Sequence, residues 1–254
     1  MKKALAAEFS KLLSLPTLWI AAAGGILVAP GIAVIRAFQE LSEITKGVQT
    51  SVEYAVGFEE LGFGVMGVII VGVIAISSEY FTEREESGGG RQMTTSLTAN
   101  PSRIRLLLSK ATAVATVSAI LAIIAIALTM AVVRIILAEH APALGSTDIS
   151  RFVGVVCYWM LTALLAFGIT ILTRHAALPL AVLLLNTSFV SVTYLLTRVT
   201  PLANYLPDMA GMRMFVEIKG AGSPLTPLWG GVVMAAWVTA LLILGTIIFC
   251  RRDA

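Results

Sequence analysis

Six stretches of the chain are each long enough to cross a lipid bilayer as a helix, and none carries a charge. They are Leu12–Ile35, Leu61–Ser78, Ala111–Val133, Phe152–Thr173, Ala176–Thr197 and Ala221–Cys250. A helix needs about 20 apolar residues to span the hydrocarbon core. In lipid, every backbone N–H and C=O must find a partner inside the segment, so runs of this kind are read as helices. The last run is longer than a crossing needs, and its span is placed near Trp229–Phe249. Only 13% of residues are charged and 57% are hydrophobic, against about 25% charged in soluble domains. The expected fold is an all-α integral membrane protein, one domain over 1–254, with six transmembrane helices.

The basic residues suggest an orientation. With both termini in the cytoplasm, eleven of the eighteen Lys and Arg lie on the inner side, as cytoplasmic loops prefer. Lys2-Lys3 and Arg251-Arg252 then share that side. Glu40, Glu43, Glu53, Glu59 and Glu60 crowd the first outer loop. A pI near 9.0 thus reads as a membrane topology signal rather than nucleic-acid binding.

Ahead of the first span, Leu5, Phe9, Leu12 and Leu13 recur at helical spacing, with Lys2, Glu8 and Lys11 off that stripe. This predicts an interfacial amphipathic helix over 2–14 that lies on the inner membrane surface. Pro16 marks the bend into span one. The longest inner loop covers 79–105. It holds the charged Glu83-Arg84-Glu85-Glu86, then Gly88-Gly89-Gly90, a short helical stretch Arg91–Ala99, and Asn100-Pro101 as a stop. Ser102 is placed to cap the next helix. The outer segment 198–227 is apolar but interrupted by Pro201 and Pro207, which suits short re-entrant helices before the last span.

Several chemistries lack their residues. No P-loop motif occurs, so the chain has no such ATP site of its own. No nucleophile elbow or His-Glu-x-x-His helix is present, and His140 and His175 are far apart, which disfavours a metal site. No catalytic, cofactor or metal residues are assigned, and the chain is not expected to be an enzyme. Charged residues fall at span ends, against the pattern of an ion-coupled carrier. Cys157 and Cys250 are expected as free thiols. The uncharged polar residues of span five, Asn186, Thr193 and Thr197, fall on one helical face. They are either a polar lining for a substrate path or hydrogen-bonding glue between helices. Gly62, Gly64, Gly67, Gly72, Gly230 and Gly231 read as points of close helix packing.

Across the 79–105 loop, Glu79-Tyr80, Gly88-Gly89-Gly90-Arg91-Gln92, Thr94-Thr95-Ser96-Leu97-Thr98-Ala99, Pro101, Arg103 and Lys110 together resemble the permease subunit of ABC-2-type ABC transporters. The variety in high-GC Gram-positive bacteria is the most similar. Glu8-Phe9, Lys11-Leu12 and Trp19 resemble that family's entry helix, and Tyr205-Leu206-Pro207 its re-entrant element. Thr82–Ser87 is longer and more charged than in many members. The resemblance implies a bacterial plasma-membrane protein that binds no ATP itself. It implies a partnership with separate ABC ATPase subunits, which hold the ATP, and with a second permease subunit, identical or related. It also implies a coupling helix between spans two and three that docks on the ATPase. Glu79, Arg91, Gln92, Met93, Leu97 and Arg103 are the expected coupling residues. The expected function is an ATP-driven exporter, with Asn186, Thr193 and Thr197 as candidate path residues. The rival readings are a secondary carrier or channel, a membrane-embedded enzyme, and a non-transporting immunity protein.

Overall fold

A computed structural model describes residues 2–47, 56–81, 102–142, 145–187, 191–217 and 225–251. Helix α1 (Lys2–Ser14) ends at Leu15, whose extended backbone breaks the helix, and Pro16 opens α2 (Pro16–Thr45). Proline is at home there, because the first helical N–H has no partner to lose. The helices α3 (Phe58–Phe81), α4 (Arg103–Leu137) and α5 (Ser146–Thr173) follow. Then come α6 (Ala177–Asn186) and α7 (Val192–Thr197). A 3₁₀ turn at Pro201–Tyr205 leads to α8 (Pro207–Met212), and α9 (Pro227–Arg251) is the last helix.

Five of these helices are long and apolar enough to cross a membrane: α2, α3, α4, α5 and α9. The sixth expected span, Ala176–Thr197, is not one helix among the described residues. It is ten residues of α6 and six of α7, joined through Thr187–Ser191, of which 188–190 lie outside the described residues. The physical reason is local. Asn, Thr and Ser side chains offer the backbone hydrogen bonds that compete with the helical ladder. Ser191 does so as the N-cap of α7, accepting from the Tyr194 N–H at 3.2 Å.

The bundle is built around α3 and α5, which run parallel and are the most enclosed of the long helices. Glycine sets how closely they pack. A Cβ on Gly67 would lie 2.5 Å from the Ala21 carbonyl oxygen and 2.6 Å from Gly25 Cα, so α2 and α3 meet backbone to backbone. A Cβ on Gly72 would strike the Ala163 carbonyl of α5, and one on Gly64 would lie 2.6 Å from the Trp159 ring. Trp159 is fully buried, and its indole N–H donates to the Leu61 carbonyl at 3.0 Å. Gly230 closes α9 against the Ala210 carbonyl of α8 in the same way. Of the glycines read from sequence as packing points, Gly64, Gly67, Gly72 and Gly230 act as such, whereas Gly62 and Gly231 face only the side chains of Met212 and Met214.

At the end of the bundle far from α1, Arg151 is a tie point. Its Nε donates to the Phe215 carbonyl at 2.9 Å and its guanidinium lies 3.6 Å from the centre of the Phe58 ring. Asp148, three residues earlier, accepts from the Gly145 N–H at 2.8 Å and so fixes the start of α5. Cys157 and Cys250 are both free.

Candidate functional site

Among the described residues polar groups meet in apolar surroundings at several places, and two of them take in residues expected to be functional. The first is at the α1 end. The amphipathic reading placed Glu8 off the apolar stripe and Leu13 on it. The structure corrects the first: Glu8 is 4% exposed, whereas Leu13 is 47% exposed, as a residue that faces lipid would be. Glu8 turns inward because a cation awaits it. Lys110 of α4, also 4% exposed, donates to Glu8 Oε2 at 2.7 Å. An ion is taken out of water at a cost of several kcal/mol unless it is paired in good geometry, so this contact fixes how α1 seats. Leu12, 4% exposed, packs beside it. The sequence held a signal: Glu8 is the lone acidic residue before Glu40.

Arg103 belongs to the same end. It opens α4 behind the Ser102 cap, which accepts from the Arg105 N–H at 3.5 Å. Its Nη1 donates to the carbonyls of Phe249 at 3.2 Å and Cys250 at 3.4 Å. These are among the last carbonyls of α9, which have no partner within the helix and carry the negative end of its dipole. Arg103 therefore ties the exit of the 79–105 loop to the end of α9. Of the other expected coupling residues, Glu79 is in the last turn of α3, and its side chain lies outside the described residues. Arg91, Gln92, Met93 and Leu97, with the whole Arg91–Ala99 stretch, also lie outside them.

The second place is the break between α6 and α7. Asn186 ends α6, and its amide nitrogen donates to Asp208 Oδ2 at 2.6 Å. Its Oδ1 accepts from the Thr193 backbone N–H at 3.0 Å and the Thr193 hydroxyl at 2.8 Å. The Ser191 hydroxyl is 3.4 Å from Asn186 Oδ1 and 3.5 Å from Asp208 Oδ2. One side chain thus closes the broken helix onto α8. Burial raises the Asp208 carboxyl above the usual carboxylate range, and the Asn186 amide pulls it back only in part. Asn186 and Thr193 meet because the chain folds back, not because they share a continuous helical face. Thr197 is not in the cluster; its hydroxyl donates to the Tyr194 carbonyl at 2.7 Å. Asp208 was missed from the sequence, although it is the sole acidic residue between Asp148 and Glu217.

Both arrangements hold elements together through charge and hydrogen bonds. The sequence matches the family described as ABC-2 family transporter protein over residues 4–198, which takes in α1 through α7. A search of curated proteins finds no match. With five apolar helices of bilayer-crossing length and that match along most of its length, the chain belongs to the ABC-2 transporter family and is the multi-pass membrane permease subunit of an ABC transporter.

Proposed function

We propose that this permease is the membrane half of an ATP-driven exporter in a bacterial plasma membrane, with both termini in the cytoplasm. Separate ATPase subunits bind and hydrolyse the ATP. A second permease subunit, identical or related, completes the path. The 79–105 loop carries the coupling element, Arg91–Ala99, with Met93 and Leu97 one turn apart on the face that enters a groove of the ATPase. Glu79, Arg91, Gln92 and Arg103 flank that contact.

One observation carries this reading: the Glu8–Lys110 ion pair at 2.7 Å. It joins α1 to the first turns of the helix that leaves the coupling loop. A push on the loop therefore reaches α1 and α4 together, and through Arg103 the end of α9. On this reading the spans rock as α1 and the loop are drawn toward each other. Asn186 and Thr193 act beside the path chiefly by holding the broken helix in place, with Thr197 on the adjoining turn.

Leu97→Asp tests the coupling. Truncating a buried anchor at a protein interface commonly costs about 2 kcal/mol or more, roughly thirtyfold in affinity. The variant is expected to insert and fold but to lose the ATPase on co-purification and to lose substrate-stimulated hydrolysis. Retention of both by Leu97→Asp would place the coupling elsewhere, first of all in Glu79–Glu86.

A further inference from the structure

On the outer surface of the bundle, between α4 and α5, lies a groove of about 300 Å³. Ile123 and Ile126 form one wall, and Phe152, Val153, Val156 and Cys157 the other. Its lining is almost wholly apolar. The size is at the low end for small-ligand sites and suits a single hydrocarbon chain.

The wall formed by α4 continues past the groove toward the end far from α1. On the same side as Ile123, about three turns further on, is Arg134. Between them on that side are Ala127, which is exposed, and Met130, which is half-buried with its methyl group beside Gly57. Arg134 is exposed, and its side chain makes no ion pair among the described residues. The helical rise from Ile123 to Arg134 is roughly 16 Å. That is close to half of a hydrocarbon core ~30 Å thick. An apolar slot and a guanidinium, half a bilayer apart on one helix face, have the dimensions of one phospholipid. The acyl chain fills the slot and the phosphate meets the arginine, whose donors match phosphate oxygens.

We propose that the α4–α5 groove and Arg134 form a site for one anionic phospholipid, held in preference to the surrounding lipid. This stands whichever way the transporter pumps.

Native mass spectrometry of the full chain in mild detergent, with phosphatidylglycerol and phosphatidylcholine supplied at equal mole fraction, tests it. The expected result is one retained phosphatidylglycerol per chain under conditions that strip phosphatidylcholine. Arg134→Gln should reduce that preference about tenfold, the scale of one charge-assisted hydrogen bond. Arg198→Gln, at another exposed arginine, should leave it unchanged. Ile123→Trp fills the slot and should cost both lipids. A second readout avoids any variant in the groove: in a Cys250→Ser background, maleimide labelling of Cys157 should slow when phosphatidylglycerol is added, and should not slow in Arg134→Gln. Equal retention of the two lipids, or retention unchanged by Arg134→Gln and Ile123→Trp alike, would overturn the proposal. So would disulfide-linked dimers through Cys157 with no lipid retained, which would give the groove to a second copy of the chain.

Discussion

Single residues in this permease matter where an apolar bundle leaves them no substitute partner. Asn186 satisfies Asp208 with its amide nitrogen and the Thr193 N–H and hydroxyl with its oxygen. Asn186→Leu keeps the size and strands all three, so unfolding in detergent is expected at lower temperature, by about 1–3 kcal/mol of stability. Transport per assembled complex should stay near normal; a fully assembled but transport-dead variant would instead make Asn186 a path residue. The pH dependence has a definite sign. Asp208 has a raised folded-state pKa, so the folded state holds its proton more tightly than the unfolded one. Stability attributable to this group rises as pH falls through the folded value toward the ordinary one, and Asp208→Asn should flatten that response. Glycine gives a sharper contrast. Gly67→Ala puts a methyl 2.5 Å from a carbonyl oxygen of α2 and should cost about 1–3 kcal/mol through overpacking. Gly24→Ala, with nothing within 4 Å of the new atom, should be neutral or stabilising by up to about 1 kcal/mol. Thermal melts of the two side by side decide it. The sequence marked Gly67 as a packing site but could not say which neighbour it touches, since that depends on how α2 and α3 are rotated.

Among the elements, α1 is the most informative. Glu8→Ala leaves the Lys110 ammonium buried without its counter-charge, which is expected to cost about 3–5 kcal/mol. Glu8→Leu combined with Lys110→Met should recover the fold. If the pair transmits motion from the loop, the double variant should still bind the ATPase yet show weakened substrate-stimulated hydrolysis. Full stimulation would reduce the pair to a seat for α1. The long spans were legible in the sequence because a bilayer demands a minimum run without charge. The seating of α1 was not, because helical periodicity sorts residues by polarity and cannot anticipate that Lys110, far along the chain, draws Glu8 in beside the apolar residues of the stripe. The broken span was hidden for a related reason. Ala176–Thr197 has the composition of a crossing, and only the tertiary partner of Asn186, on α8, shows what holds the break.

At the scale of the whole molecule, the two ends of the bundle differ in charge. The α1 end holds Lys11, Arg103, Arg105, Lys110, Arg174 and Arg251 against the acids Glu8 and Glu79, whereas the far end mixes Arg36, Arg134, Arg151 and Arg198 with Glu40, Glu59, Glu60, Asp148 and Asp208. This supports a cytoplasmic α1 end. In intact cells, Ser51→Cys should react with an impermeant thiol reagent and Ser87→Cys should not; the reverse pattern would invert the topology and remove the basis for coupling through the 79–105 loop. The glycine contacts carry a mechanical consequence. Where Gly25 meets Gly67 and Gly72 meets Ala163, backbone touches backbone, and there is no side chain between them to change rotamer as the helices slide. α2, α3 and α5 are thus bolted into one stiff plate. Compliance is expected from α1 and α4, which make no such backbone-to-backbone glycine contact with that plate among the described residues, so a spectroscopic distance measured within the plate should stay constant through a cycle that changes distances from it to α1 and α4.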